Sequence, residues 1–107
     1  MKHGDVFYYE FQPPDKPRPV VILTRTSAIG FLQSVTIAPI TSTIRGIPTE
    51  VVLTPAEGFA NDSAVSLDNI QTVPKAKLKA YVTHLSPVKL KGLHRAISFA
   101  LGFDIEE

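Results

Sequence analysis

Helical periodicity occurs once in this chain, at its C-terminal end, and that restricts what everything before it can build. Ser86 and Pro87 form a helix start: a capping serine accepts a backbone N–H, and proline at the first helical position lacks only a donor that would be unpaired anyway. Leu85 and Leu90 stand at the two positions of a hydrophobic staple. Leu90, Leu93, His94, Ile97 and Leu101 share one helical face, and Gly102 suits the left-handed residue that ends a helix. On that face His94 is expected as a partly buried, hydrogen-bonded core histidine.

Upstream, the apolar residues come in short runs. Asp5–Phe11 reads as an aromatic-rich strand entered through Gly4, and Pro13, Pro14, Pro17 and Pro19 punctuate the loop after it. Val20–Thr24 is a continuous apolar run, the pattern of a strand buried on both faces. Gln33–Ile40 alternates, with Pro39 predicting an edge or bulge near its end. Thr41–Pro48 reads as a loop, Glu50–Leu53 and Ser63–Leu67 as strands, and Tyr81–Leu85 as a short last strand; residues 69–80 support no single assignment. Five or six short strands closed by one helix predict a mainly β (α+β) chain, a small antiparallel barrel or curled sheet.

A length of 107 residues suits one domain, 1–107, because two halves would each be too small for an ordinary core. Cysteine is absent, which removes disulfide frameworks, thiolate metal sites and cysteine nucleophiles. No apolar run approaches the ~20 residues of a membrane span, and the N-terminus lacks a signal peptide's pattern, so a cytoplasmic protein is expected. The net charge of +1 hides an asymmetry. Lys75, Lys77, Lys79, Lys89, Lys91 and Arg95 fall between residues 72 and 95 with no acid among them, whereas Asp104, Glu106 and Glu107 make the tail acidic. The basic stretch reads first as a solvated face; it also suits RNA or an acidic protein.

Familiar catalytic signatures are missing. The carboxylates are scattered without paired spacing, His3, His84 and His94 lack ligand spacing, and no phosphate-cradling glycine loop or nucleophile elbow occurs. What stands out is Arg18, held between Pro17 and Pro19 at the start of the apolar strand. Its planar fork suits a phosphodiester, or it is a rim arginine paired with Asp15. Thr41 and Ser42, ending the strand before the loop, either present hydroxyls at the same rim or close the strand by ordinary turn chemistry.

Taken in order, GDVFYYEF, RPVVILT, IAPITS, VSLDNIQTVPKAKL and HLSPVKLKGLHRAISFALGF resemble the MazF/PemK toxins of type II toxin–antitoxin modules across nearly the whole chain. The resemblance implies an SH3-like barrel of the CcdB/PemK type with a C-terminal helix, working as a homodimer. It implies metal-independent, cofactor-free cleavage of single-stranded RNA (messenger or ribosomal) at short motifs. The products would carry 2′,3′-cyclic phosphate and 5′-hydroxyl ends, and a MazE-like antitoxin would neutralise the activity. The family's catalytic arginine falls on Arg18 and its strand-end threonine on Thr41, with Ser42 beside it. Asp68 matches an acidic position found in part of the family and is the candidate base or RNA contact. Arg25, Arg45, Asn69 and Gln71 are the expected substrate contacts, since single-stranded RNA is read by base edges and backbone charge. Tyr8, Phe31 and Phe59 either stack a base or pack the core. Two departures bear on recognition: the loop before the arginine is reduced to PPDKP, and Gln71 stands where many relatives carry arginine. The competing readings are a CcdB-like gyrase inhibitor and a catalytically inactive RNA-binding relative.

Overall fold

A computed structural model describes residues 1–105, so Glu106 and Glu107 of the acidic tail lie outside the described residues. Seven strands are present: β1 (Asp5–Tyr9), β2 (Arg18–Ile22), β3 (Ser34–Thr41), β4 (Glu50–Leu53), β5 (Ser63–Ser66), β6 (Gln71–Pro74) and β7 (Leu78–His84). They pair antiparallel in the order β4-β5-β3-β2-β1-β7, with β6 against the first half of β3. A one-turn helix α1 (Thr26–Ile29) and the long helix α2 (Pro87–Leu101) complete the fold. No helix among the described residues is long and apolar enough to cross a membrane.

Strand β3 organises the sheet. One edge pairs with β2 from Ile37 to Pro39; the other pairs with β6 from Ser34 to Ile37 and then with β5 at Ile40 and Thr41. Pro39 therefore sits in a central strand, not at the edge or bulge expected of it. Leu23 donates its N–H to Thr36 O at 2.8 Å, and counting two by two along this register turns the nitrogen of Pro39 away from β2. The missing N–H falls where the partner changes from β6 to β5, so no ladder bond is lost.

Both faces of β2 are buried, as its unbroken apolar run predicts. Val21 joins Val6, Ala38, Leu53, Val65 and Leu93 under α2, while Val20 and Ile22 join Tyr9, Val35, Ile37 and Val73 on the opposite face. Gly4, at φ +89°, lets the chain enter β1 with its N–H on Ile22 O and its carbonyl accepting from Leu85 N–H. Residues 69–80 resolve into a 3-10 turn (Leu67–Asn69), β6, a second such turn and the start of β7, too short a set of elements for periodicity to separate.

Helix α2 begins and ends where the sequence places it. Ser86 Oγ accepts from Lys89 N–H, Pro87 opens the helix, and Gly102 closes it at φ +75°. Leu93 and Ala96 are buried, with Leu90, Ile97 and Ala100 packed on the same cluster. Two members of the expected face are corrected: Leu101 and His94 are exposed. His94 lies against His3, its Nε2 2.8 Å from His3 Nε2, and is a surface residue rather than a core one. Helix α2 rests chiefly on β4 and the turn after β5, and Leu101 and His94 fall off that face.

Candidate active site

The loop between β1 and β2 carries the prolines, and the two that bracket Arg18 fix its backbone as β2 begins, opposite Tyr9. The half-buried guanidinium carbon lies 5.7 Å from the centre of the Phe11 ring, which packs edge-on against Tyr9. Among the described residues Arg18 enters no ion pair: Asp15 borders the same groove without reaching it. A cation held by a ring and no carboxylate keeps its donors available to an anion.

Thr41 ends β3 on the rim beside Arg18. Its Oγ1 accepts from Thr43 N–H at 3.1 Å, so turn chemistry is present. That bond uses a lone pair only, and the hydroxyl proton stays free to be donated outward. Both readings of Thr41 hold at once.

Two grooves flank the Arg18–Thr41 ridge. The first, about 500 Å³, is lined by Arg18, Thr41, Thr43, Arg45, Asn69 and Gln71, together with Phe11, Asp15, Pro39 and Ser66. The second, about 550 Å³, takes Lys16, Ser42, Phe59, Asn61 and Ser63. The Ser63 hydroxyl is buried without a hydrogen-bond partner among the described residues. The structure thus brings Arg18, Thr41, Arg45, Asn69 and Gln71 into one groove and sets Ser42 in its neighbour.

Two expected residues sit elsewhere. Arg25 precedes α1 and borders a separate hollow with His3, Leu23 and His94. Asp68 lines neither groove; its Oδ2 accepts from Thr49 Oγ1 at 2.7 Å and from Arg45 Nη2 at 3.2 Å. Of the candidate stacking rings, Phe59 borders the second groove, while Tyr8 and Phe31 are exposed outside both. The basic stretch is divided between β6–β7 and α2, and none of its members lines either groove. Lys75 and Lys89 cap backbone carbonyls of Ile29 and Val52.

Sequence reasoning did not single out Glu50. Its side chain is 1% exposed, and its carboxylate accepts from the backbone N–H groups of Arg45 and Gly46 and folds the loop after β3 against the groove. The one local signal was an acid opening an otherwise apolar strand. Phe11 and Thr43 were also missed as groove residues, since neither role is visible before β1, β2 and β3 pair.

A rigid guanidinium, convergent hydroxyls and amide side chains along an open groove are the equipment for holding a polyanionic strand and touching its bases. The family described as "PemK-like, MazF-like toxin of type II toxin-antitoxin system" matches residues 2–101. Endoribonuclease MazF3 of Mycobacterium tuberculosis is 42% identical over 90 residues, covering 84% of this chain and 87% of the relative. Probable endoribonuclease MazF5 of the same organism is 35% identical over 99 residues, covering 92% and 90%. Among solved structures, the Mycobacterium tuberculosis toxin MazF-mt6 superposes with a TM-score of 0.84 at 38% identity, covering 96% of this chain and 99% of that one. A mycobacterial endoribonuclease solved with its cognate antitoxin, 24% identical, shares the fold at a TM-score of 0.87, with 99% of each chain covered. The chain belongs to the PemK-like, MazF-like toxins of type II toxin–antitoxin systems.

Proposed function

We propose that this protein is an endoribonuclease toxin that cuts single-stranded RNA at short motifs, with Arg18 and Thr41 acting at the scissile phosphate. The observation that carries the reading is Arg18: a half-buried guanidinium, held over Phe11 and paired with no carboxylate among the described residues, beside Thr41 in a groove wall. The neighbouring 2′-hydroxyl attacks phosphorus; its oxygen–phosphorus bond forms as the bond to the 5′-oxygen breaks. The products are a 2′,3′-cyclic phosphate and a 5′-hydroxyl. Negative charge gathers on the non-bridging oxygens of the phosphorane, and Arg18 offers two parallel N–H donors to them while Thr41 offers its O–H. A guanidinium stays protonated in proteins, so Arg18 stabilises charge and does not take the proton. Asp15 is the carboxylate bordering the same groove and receives the 2′-hydroxyl proton, while the departing 5′-oxygen takes its proton from solvent water in the open groove. Asp68, with Oδ2 committed to Thr49 and Arg45, is assigned to holding Arg45.

Arg45, Asn69 and Gln71 line the first groove and Ser42 the second, which supports a path for RNA across the Arg18–Thr41 ridge. The reading extends to a homodimer in the cytoplasm, acting on messenger or ribosomal RNA without metal or cofactor and blocked by a MazE-like antitoxin; membership of a toxin–antitoxin family supports it. One continuous sheet carrying both buried clusters supports a single domain over 1–107.

Purified protein incubated with a long, sequence-diverse RNA in EDTA tests the reading. Cuts at a repeated short motif with 5′-hydroxyl ends are expected. Arg18→Ala should slow them about 100- to 1000-fold, the usual cost of losing one charge-stabilising donor. An intact RNA after prolonged exposure to the wild-type protein overturns the reading.

A further inference from the structure

The two arginines of the first groove differ in their company. Arg18 has no carboxylate partner among the described residues, whereas Arg45 has two: Glu50 Oε2 lies 3.7 Å from its Nε, and Asp68 Oδ2 lies 3.2 Å from its Nη2. Glu50 is buried and also holds the backbone N–H groups of Arg45 and Gly46; Asp68 is in turn held by Thr49. One cation set against two carboxylates leaves the cluster net negative at neutral pH, a poor seat for a phosphate. The Arg45 side chain is nevertheless 53% exposed and borders the groove.

The carboxylates lie against Nε and Nη2 and none among the described residues pairs with Nη1, which leaves Nη1 and the second Nη2 hydrogen as a fork of donors. Such a fork matches two adjacent acceptors on one edge of a base. Guanine presents O6 and N7, and cytosine presents O2 and N3. Uracil separates its two oxygens by an N–H, and adenine places an amino donor beside its N1 and N7. Bases of a single strand are unpaired, so every edge is open to reading.

We propose that Arg45, positioned by Glu50 and Asp68, reads a guanine or cytosine at one fixed position beside the cut and does not hold a phosphate. The inference rests on the groove being the RNA site.

Cleavage sites are mapped on a randomised RNA for wild type, Arg45→Lys and Asp68→Asn, and melting temperatures are recorded alongside. Lysine keeps the charge but not the fork, so Arg45→Lys should lower the preference for guanine or cytosine about 5- to 150-fold, the worth of one bidentate pair. Asp68→Asn should lower it less; a merely structural role for Asp68 would lower the melting temperature and leave the preference as in wild type. Binding of an RNA made non-cleavable by 2′-deoxy substitution is then followed against salt. Arg45→Gln should leave the log–log slope unchanged, whereas Arg18→Gln should flatten it by about 0.7, the value of one phosphate contact on a single strand. Wild-type cutting with no guanine or cytosine preference, a preference retained in Arg45→Lys, or a slope flattened in Arg45→Gln each overturns the inference. Failure of the wild type to cut any RNA removes the ribonuclease reading along with it; cutting indifferent to Arg45→Lys removes this inference alone.

Discussion

Replacing Phe11 by leucine tests whether the ring under Arg18 belongs to the catalytic apparatus. The guanidinium carbon stands 5.7 Å from the ring centre, within cation–π range, and Arg18 is half-buried. Such contacts contribute about 0.5–1 kcal/mol when exposed and about 2 kcal/mol when desolvated, which places this one near 1 kcal/mol. At about 1.4 kcal/mol per factor of ten, Phe11→Leu should weaken interaction with the scissile phosphate about fivefold. Leucine keeps most of the apolar volume packed on the second buried cluster, so the fold should hold. Because Arg18→Ala leaves little cutting to measure, the assay is affinity for a 2′-deoxy RNA, across a cycle of Phe11→Leu, Arg18→Ala and the double variant. Once Arg18 is gone, Phe11→Leu should cost less than a factor of two. An equal cost in both backgrounds would refute the reasoning, because the ring would then be serving packing alone.

The remaining predictions concern stability. Gly4 and Gly58 both have positive φ, at +89° and +96°, but a Cβ on Gly4 would stand 2.5 Å from Leu90 Cδ2 while one on Gly58 meets open space. In chemical denaturation Gly58→Ala should cost about 1–2 kcal/mol of backbone strain. Gly4→Ala should cost about 1–3 kcal/mol more from overpacking, and equal losses would show that α2 yields freely. Glu57 caps the turn after β4: hydrogen bonds from Thr54 N–H and Thr54 Oγ1 hold its carboxyl below the ordinary 4.5. A depressed carboxyl pKa contributes stability above 4.5 that is lost as pH falls through the folded value. Wild type should therefore be more stable than Glu57→Gln at pH 7 and lose that advantage as the pH falls below 4.5 and through the lowered value; an advantage that persists in strong acid would refute the assignment.

Some of this site was legible from local order and some was not. Arg18 was visible because two prolines bracket it at the mouth of an apolar run, and Thr41 because it ends an alternating strand; both signals lie within a few residues. Arg45, Asn69 and Gln71 were named only through a family likeness, and the same likeness named Arg25, which borders a different hollow. Nothing local tells these arginines apart. Their separation comes from pairing: the loop carrying Arg45 is folded back by a carboxylate five residues later, while Arg25 leads from the end of β2 into α1 and borders another hollow.

By itself the sequence determined the class of fold and the limits of its helix. Caps, a staple, apolar period and glycine stop act over one or two turns and need no distant partner, so Ser86–Gly102 was readable as it stands. The alternating or unbroken character of β2, β3 and β4 is equally local. Only the tertiary structure decided which polar groups meet. Strand β3 trades β6 for β5 along one edge while keeping β2 on the other, and that exchange sets Arg18 and Thr41 in one groove with Arg45, Asn69 and Gln71. It also put His94 in solvent, turned Pro39 from an edge signal into a central residue, and set Asp68 behind Arg45 rather than in the groove. Each of these depends on register between strands far apart in the chain, and register is settled by burying both faces of the sheet at once, a condition no short window of sequence contains.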